Sequence, residues 1–99
     1  MSTNKLRLVT TFARVGQEIQ EQIKLEYPEG FSQHLIKFTN KDGEQVSALR
    51  FETDDKIFLI KMSKFMAEQI ILDDDDYDED GSLTEGAREE LEDRHGDDD

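Results

Sequence analysis

The sequence predicts an α+β fold carrying an acidic flexible C-terminal tail, and three patterns support that prediction. Apolar residues recur every three or four positions from Leu8 to Ile23, which is the period of an amphipathic helix. Three short apolar runs then follow, separated by turn residues, as in a three-stranded antiparallel meander. Finally, the whole charge imbalance lies after residue 72. The expected body is α-β-β-β-α over 1–72, and the expected tail is largely disordered over 73–99.

In the first element, Leu8, Phe12, Val15, Ile19 and Ile23 form one stripe, with Gln, Glu and Lys filling the opposite side of "GQEIQEQIKLEYPEG". Gly16 inside that stretch costs about 1 kcal/mol relative to alanine. Pro28 and Gly30 end the helix. "KLRLVTT" also alternates as a strand does, so residues 1–10 fit either a strand or a helix extension.

The strands are read as "HLIKFT", "QVSALRFE" and "KIFLIKM", turning at Asp42-Gly43 and Asp54-Asp55. Two-residue turns there pair residues whose numbers sum to 85 and then to 109. One face then collects Ile36, Phe38, Leu49, Phe51, Phe58, Ile60 and Met62, interrupted by His34 and Ser47. The opposite face holds Leu35, Lys37, Thr39, Val46, Ala48, Arg50, Ile57, Leu59 and Lys61. A slip of one residue would exchange the faces of a strand, so the apolar pattern specifies this register. Ser63 caps a second helix, in which Met62, Met66 and Ile70 share a side and Phe65 and Ile71 broaden it.

Residues 1–72 hold ten basic and ten acidic side chains, whereas 73–99 hold fifteen acids against Arg88 and Arg94, accounting for the whole net charge of −13. A salt-adapted surface would spread its carboxylates, and this one does not. The pattern instead predicts a solvated appendage that attracts basic surfaces or cations. Cysteine is absent, which excludes disulfides, thiolate metal sites and cysteine nucleophiles. The opening residues contain no apolar run of signal-peptide or membrane-span length, so an intracellular, cytoplasmic protein without membrane contact is expected.

Within the acidic run, "DYDEDGSLTEGA" resembles the calcium loop of the EF-hand family. Asp76, Asp78 and Asp80 stand at its first, third and fifth positions, Gly81 at the sixth and Leu83 at the eighth. The resemblance implies Ca²⁺ held by those three aspartates. The twelfth position, which should be a bidentate glutamate, is Ala87, so the implied affinity is about millimolar at best. Over 82–95, Leu83, Ala87 and Leu91 sit four apart, Glu90 can pair with Arg94, and a Ser82–Glu85 capping box can start a helix. With only three apolar members that helix is marginal alone.

No His-x-x-x-His pair and no glycine-rich phosphate loop occurs, and solvated carboxylates keep ordinary pKa values, so an enzyme is not expected. His34 reads as a rim residue and His95 as a helix-end residue. Lys37, Arg50 and Lys61 share the mixed sheet face and form the candidate charge-contact site. The leading expectation is a small interaction or regulatory protein whose acidic tail engages a basic partner surface. The alternatives are weak EF-hand-like calcium binding by the 76–87 loop and nucleic-acid binding through the basic sheet face. The nucleic-acid reading is disfavoured, because that face lacks stacking aromatics and the tail repels phosphate. Leu35, Val46, Ile57 and Leu59 on the mixed face leave room for a homodimer.

Overall fold

The β-branched run Val9-Thr10-Thr11 favours a strand over a helix, because such residues lose side-chain freedom in a helix and fit a pleated surface. In the computed structural model, which describes residues 5–95, Leu6–Thr11 is strand β1. Helix α1 is confined to Gln17–Glu26, with Gly16 in extended conformation at its N-cap. The expected stripe is therefore divided between elements. Leu8 lies in β1, Phe12 and Val15 in the connecting turn, and only Ile19 and Ile23 in α1, although Phe12, Val15, Ile19 and Ile23 all reach one core.

A single 3-10 turn at Ser32–His34 leads into β2 (Ile36–Thr39), β3 (Gln45–Glu52) and β4 (Lys56–Lys61). The four strands form one mixed sheet of order β1-β4-β3-β2, with β1 parallel to β4 and the other pairs antiparallel. The three-stranded meander is thus extended by an N-terminal parallel strand, and the element order is β-α-β-β-β-α-α.

The β3–β4 register is the expected one, with Leu49 opposite Ile60 and Phe51 opposite Phe58 across the Asp54-Asp55 turn. The β2–β3 register is one residue off. Ile36 faces Ala48 and Phe38 faces Val46, because Asn40 N–H bonds to Glu44 C=O at 2.9 Å and closes a loop of three residues, Lys41–Gly43. Gly43 takes the left-handed conformation (φ +82°) that such a loop needs. Asn40 Oδ1 accepts from the Asp42 and Glu44 amides at 3.0 and 2.9 Å and holds the loop open. The extra residue turns Ile36 and Phe38 onto the opposite face from Leu49 and Phe51. Lys37 goes to the helix side.

Ser63 caps α2 (Lys64–Leu72) as expected, accepting from the Met66 amide at 3.0 Å. The helix is rotated relative to expectation: Ala67 and Ile71 are its buried pair, whereas Phe65 and Met66 point outward.

The largest departure concerns the acidic segment, whose described residues, 73–95, form part of the body. Tyr77, Leu83, Ala87 and Leu91 join the core formed by Ile23, Phe31, Leu49, Phe51, Ile60, Met62 and Ile71. Helix α3 (Glu85–His95) lies against α1 and is capped by Thr84, not Ser82; Thr84 Oγ1 accepts from the Ala87 amide at 3.2 Å. A short bridge, Tyr77 to Leu83, folds the turn between α2 and α3. A thin apolar stripe that is marginal in water becomes stable once α1 and the sheet supply a surface to bury it. The exposed carboxylates of Asp73, Asp75, Asp78, Glu79 and Asp80 remain in solvent while Tyr77 and Leu83 point inward.

Candidate functional site

Among the described residues, two sets of side-chain contacts hold the acidic segment on the body. Lys24, buried in α1, places its Nζ 2.8 Å from Asp74 and 2.7 Å from Asp76. Burial acts to lower the Lys24 pKa, but the hydrogen bonds to Asp74 and Asp76 outweigh it, so the ammonium is held above its usual range. Next to this group the Tyr77 hydroxyl donates to the Tyr27 carbonyl at 3.0 Å, and burial, then the Asp74 and Asp76 charges, push its pKa up. At the far end of α3, His95 Nε2 lies 2.7 Å from Glu21 Oε1 and Arg94 Nη1 lies 2.5 Å from Glu21 Oε2. The His95 hydrogen bond is the largest influence on the Glu21 carboxyl. Burial opposes it, and Gln17 and Arg94 add to it, lowering the pKa from an ordinary 4.5 to about 2.

Two of the three expected calcium ligands are engaged in other contacts. Asp76 is bound to Lys24. Asp78 Oδ1 accepts from the Asp80 and Ser82 amides at 2.9 and 3.0 Å, which closes a tight turn with Gly81 at φ +84°. Asp80 points to solvent. The three carboxylates do not converge, and among the described residues no group of three or more His, Cys, Asp or Glu is placed to hold a metal ion. A hairpin-like bridge between Tyr77 and Leu83 closes this stretch into a turn.

The expected cationic trio is also separated. Lys37 stands on the helix side of the sheet through the β2 register. Arg50 Nη2 is tied to Glu52 at 2.8 Å, and Glu52 also takes Lys5 at 2.5 Å. Arg50 and Lys61 both stay exposed on the open face, and of the two only Arg50 is in an ion pair among the described residues. Leu35 turns to the core, and Leu59 is buried on the open face, so the apolar set proposed for a homodimer does not form one patch.

The arrangement does create a site that no single stretch of sequence announces. Gly30 (φ +100°) and Gly81 (φ +84°) approach each other beside Ile71; a Cβ on Gly30 would meet the Gly81 carbonyl at 3.5 Å. The Leu83 amide bonds to the Pro28 carbonyl at 2.6 Å and fixes that approach. Between these turns and α2 lies a cleft of about 280 Å³ with Phe31, Ala67, Ile71 and Leu72 on its walls. Glu29, Glu68, Glu79 and Asp80 stand around it, and no lysine or arginine lines it. Beside it α2 exposes Phe65 (72%) and Leu72 (69%), seven positions apart and hence on the same side of the helix. Glu29, Glu68 and Glu79 escaped sequence reading because they come from three separated segments. The legible signal was the Phe65–Leu72 spacing.

No protein-family model, no curated protein and no solved structure matches the chain. Among the described residues no helix is long and apolar enough to cross a membrane.

Proposed function

We propose that the protein is an interaction module that recognises a basic, partly apolar segment of another protein through the cleft between α2 and the Gly30 and Gly81 turns. The observation that carries this reading is the lining itself: four carboxylates surround an apolar floor and no cation accompanies them. A lysine or arginine side chain suits such a site, because its methylene stem lies on apolar surface while its charged head meets a carboxylate. Phe65 and Leu72 extend the apolar surface for neighbouring side chains of the same segment. The surrounding exposed aspartates and the net charge of −13 draw basic partners from a distance and speed encounter.

The test pans a random linear-peptide library against the full chain. Enriched sequences should combine Lys or Arg with Leu, Phe or Met. Binding of a synthetic member should weaken as salt rises past about 0.15 M, where screening falls to about 8 Å. Reversing Glu68→Lys together with Glu79→Lys should weaken it about tenfold or more. Enrichment without a basic bias, or affinity untouched by the double reversal, would remove this function.

A further inference from the structure

Among the described residues the strand order leaves β1 at the edge of the sheet, with β4 as its one neighbour. In a strand, alternate residues turn both backbone groups to the same side. The Leu6 amide bonds toward Asp55 at the start of β4, so Arg7 and Val9 offer their N–H and C=O groups to the free side. Thr11 C=O is already taken by the Arg14 and Val15 amides, which marks where the open stretch ends. Natural edges are protected by charged side chains, proline, bulges or a shortened strand, and of these β1 has the charge of Arg7. β1 has six residues in unbroken register, no proline, and Leu6 and Val9 exposed at 58% and 53%.

A cleft opens on each side of this edge. Toward the helices, Leu8, Val15, Ile19 and Phe58 line a space of about 450 Å³ with Arg14 beside them. On the open face, Val9, Phe38 and Leu59 line one of about 320 Å³ with Arg7, Lys41 and Lys61. Neither cleft is lined by aspartate or glutamate among the described residues, although residues 1–72, which supply both linings, hold as many acids as bases. Two linings that carry Arg7, Arg14, Lys41 and Lys61 and no acid therefore flank the edge among the described residues.

We propose that β1 takes up an extended segment of a partner protein as a fifth strand. Backbone pairing to Arg7 and Val9 holds the segment, and its apolar side chains enter the two clefts. Its aspartates or glutamates meet Arg7, Arg14 and Lys61. This is strand addition, in which backbone bonds supply affinity and alternate side chains supply choice. The surface is separate from the acidic cleft and selects the opposite charge.

Panning a random linear-peptide library against the full chain tests it. The expected result is a class of sequences alternating Asp or Glu with Val, Ile, Leu or Phe. A synthetic member should slow hydrogen exchange at the Arg7 and Val9 amides. Val9→Pro removes a donor that β4 does not use, and it should weaken that peptide about tenfold or more. Arg7→Glu with Lys61→Glu should do the same with the backbone intact, and circular dichroism checks that both variants fold. Enrichment lacking acidic residues, or binding that ignores both variants, overturns the proposal. So does a dimer in sedimentation that Val9→Pro dissolves, since the edge then belongs to a second copy. An oligonucleotide that competes at this edge more strongly than the peptide has the same consequence. Basic peptides lost only on reversing Glu68 and Glu79 report the other site, so the two readings fail separately.

Discussion

Truncating Leu91 to alanine tests whether the acidic segment belongs to the fold. Leu91 is 2% exposed on α3 and packs into the core shared with α1 and the sheet. The substitution deletes three carbon groups, worth about 0.8 kcal/mol each, and leaves a cavity that adds to the loss. A destabilisation of about 3 kcal/mol is expected. For a chain of 99 residues, total stability is about 5–15 kcal/mol, so this is a large fraction. With a urea m-value of about 1.5 kcal/mol/M, the unfolding midpoint should fall by about 2 M with little change in slope. Leu72→Ala is the matched control, because Leu72 is 69% exposed and its loss should cost about 0.5 kcal/mol or less. A midpoint shift below about 0.3 M for Leu91→Ala would refute the integrated core, and so would equal stability of a chain ending at residue 72.

The contact between Glu21 and the α3 terminus predicts a pH dependence. A carboxyl lowered from 4.5 to about 2 gives stabilisation that is complete above pH 4.5 and lost as pH falls toward 2. Discounted for solvent screening at the part-exposed Arg94, this amounts to about 1–2 kcal/mol. The difference in urea midpoint between wild type and Glu21→Gln should close across that window, and parallel curves would rule out the contact as its source. Gly30→Ala places a side chain at φ +100° and should cost about 1–2 kcal/mol, read as a fall in Tm of about 5–10 °C. An unchanged Tm would show that this turn carries no conformational constraint.

The charge distribution has a structural explanation in the polar contacts. Asp74 and Asp76 are repulsive neighbours in sequence, yet Lys24 sits between them in space and the Tyr77 ring enters the core next to them. The segment therefore resolves into inward and outward positions. Its solvated members supply the field around the acidic cleft, and its apolar members hold that field in a fixed place. A free tail would carry the same charge without presenting a shaped site.

Much of the fold was legible because it depends on short-range pattern. Leu49, Phe51, Phe58 and Ile60 alternate across an Asp-Asp turn, and that spacing alone sets the β3–β4 register. Ser63 before an apolar run identified the start of α2. The absence of cysteine removed thiol chemistry outright. Three other features depended on partners far along the chain. β1 is a strand because β4 pairs with it some fifty residues later, as Leu6 opposite Lys56 shows. The β2 faces exchanged because one loop residue more than the shortest turn was used, a choice stabilised by Asn40. The α3 stripe of Leu83, Ala87 and Leu91 is too thin to predict order by itself, and its burial depends on the surface that α1 and the sheet present. The candidate cleft is of the same kind, since Glu29, Glu68 and Glu79 converge only when two glycine turns meet across Ile71. Local pattern therefore determined which residues seek water and which avoid it. Tertiary structure determined which avoided water together, because burial is a property of two surfaces and the sequence displays one at a time.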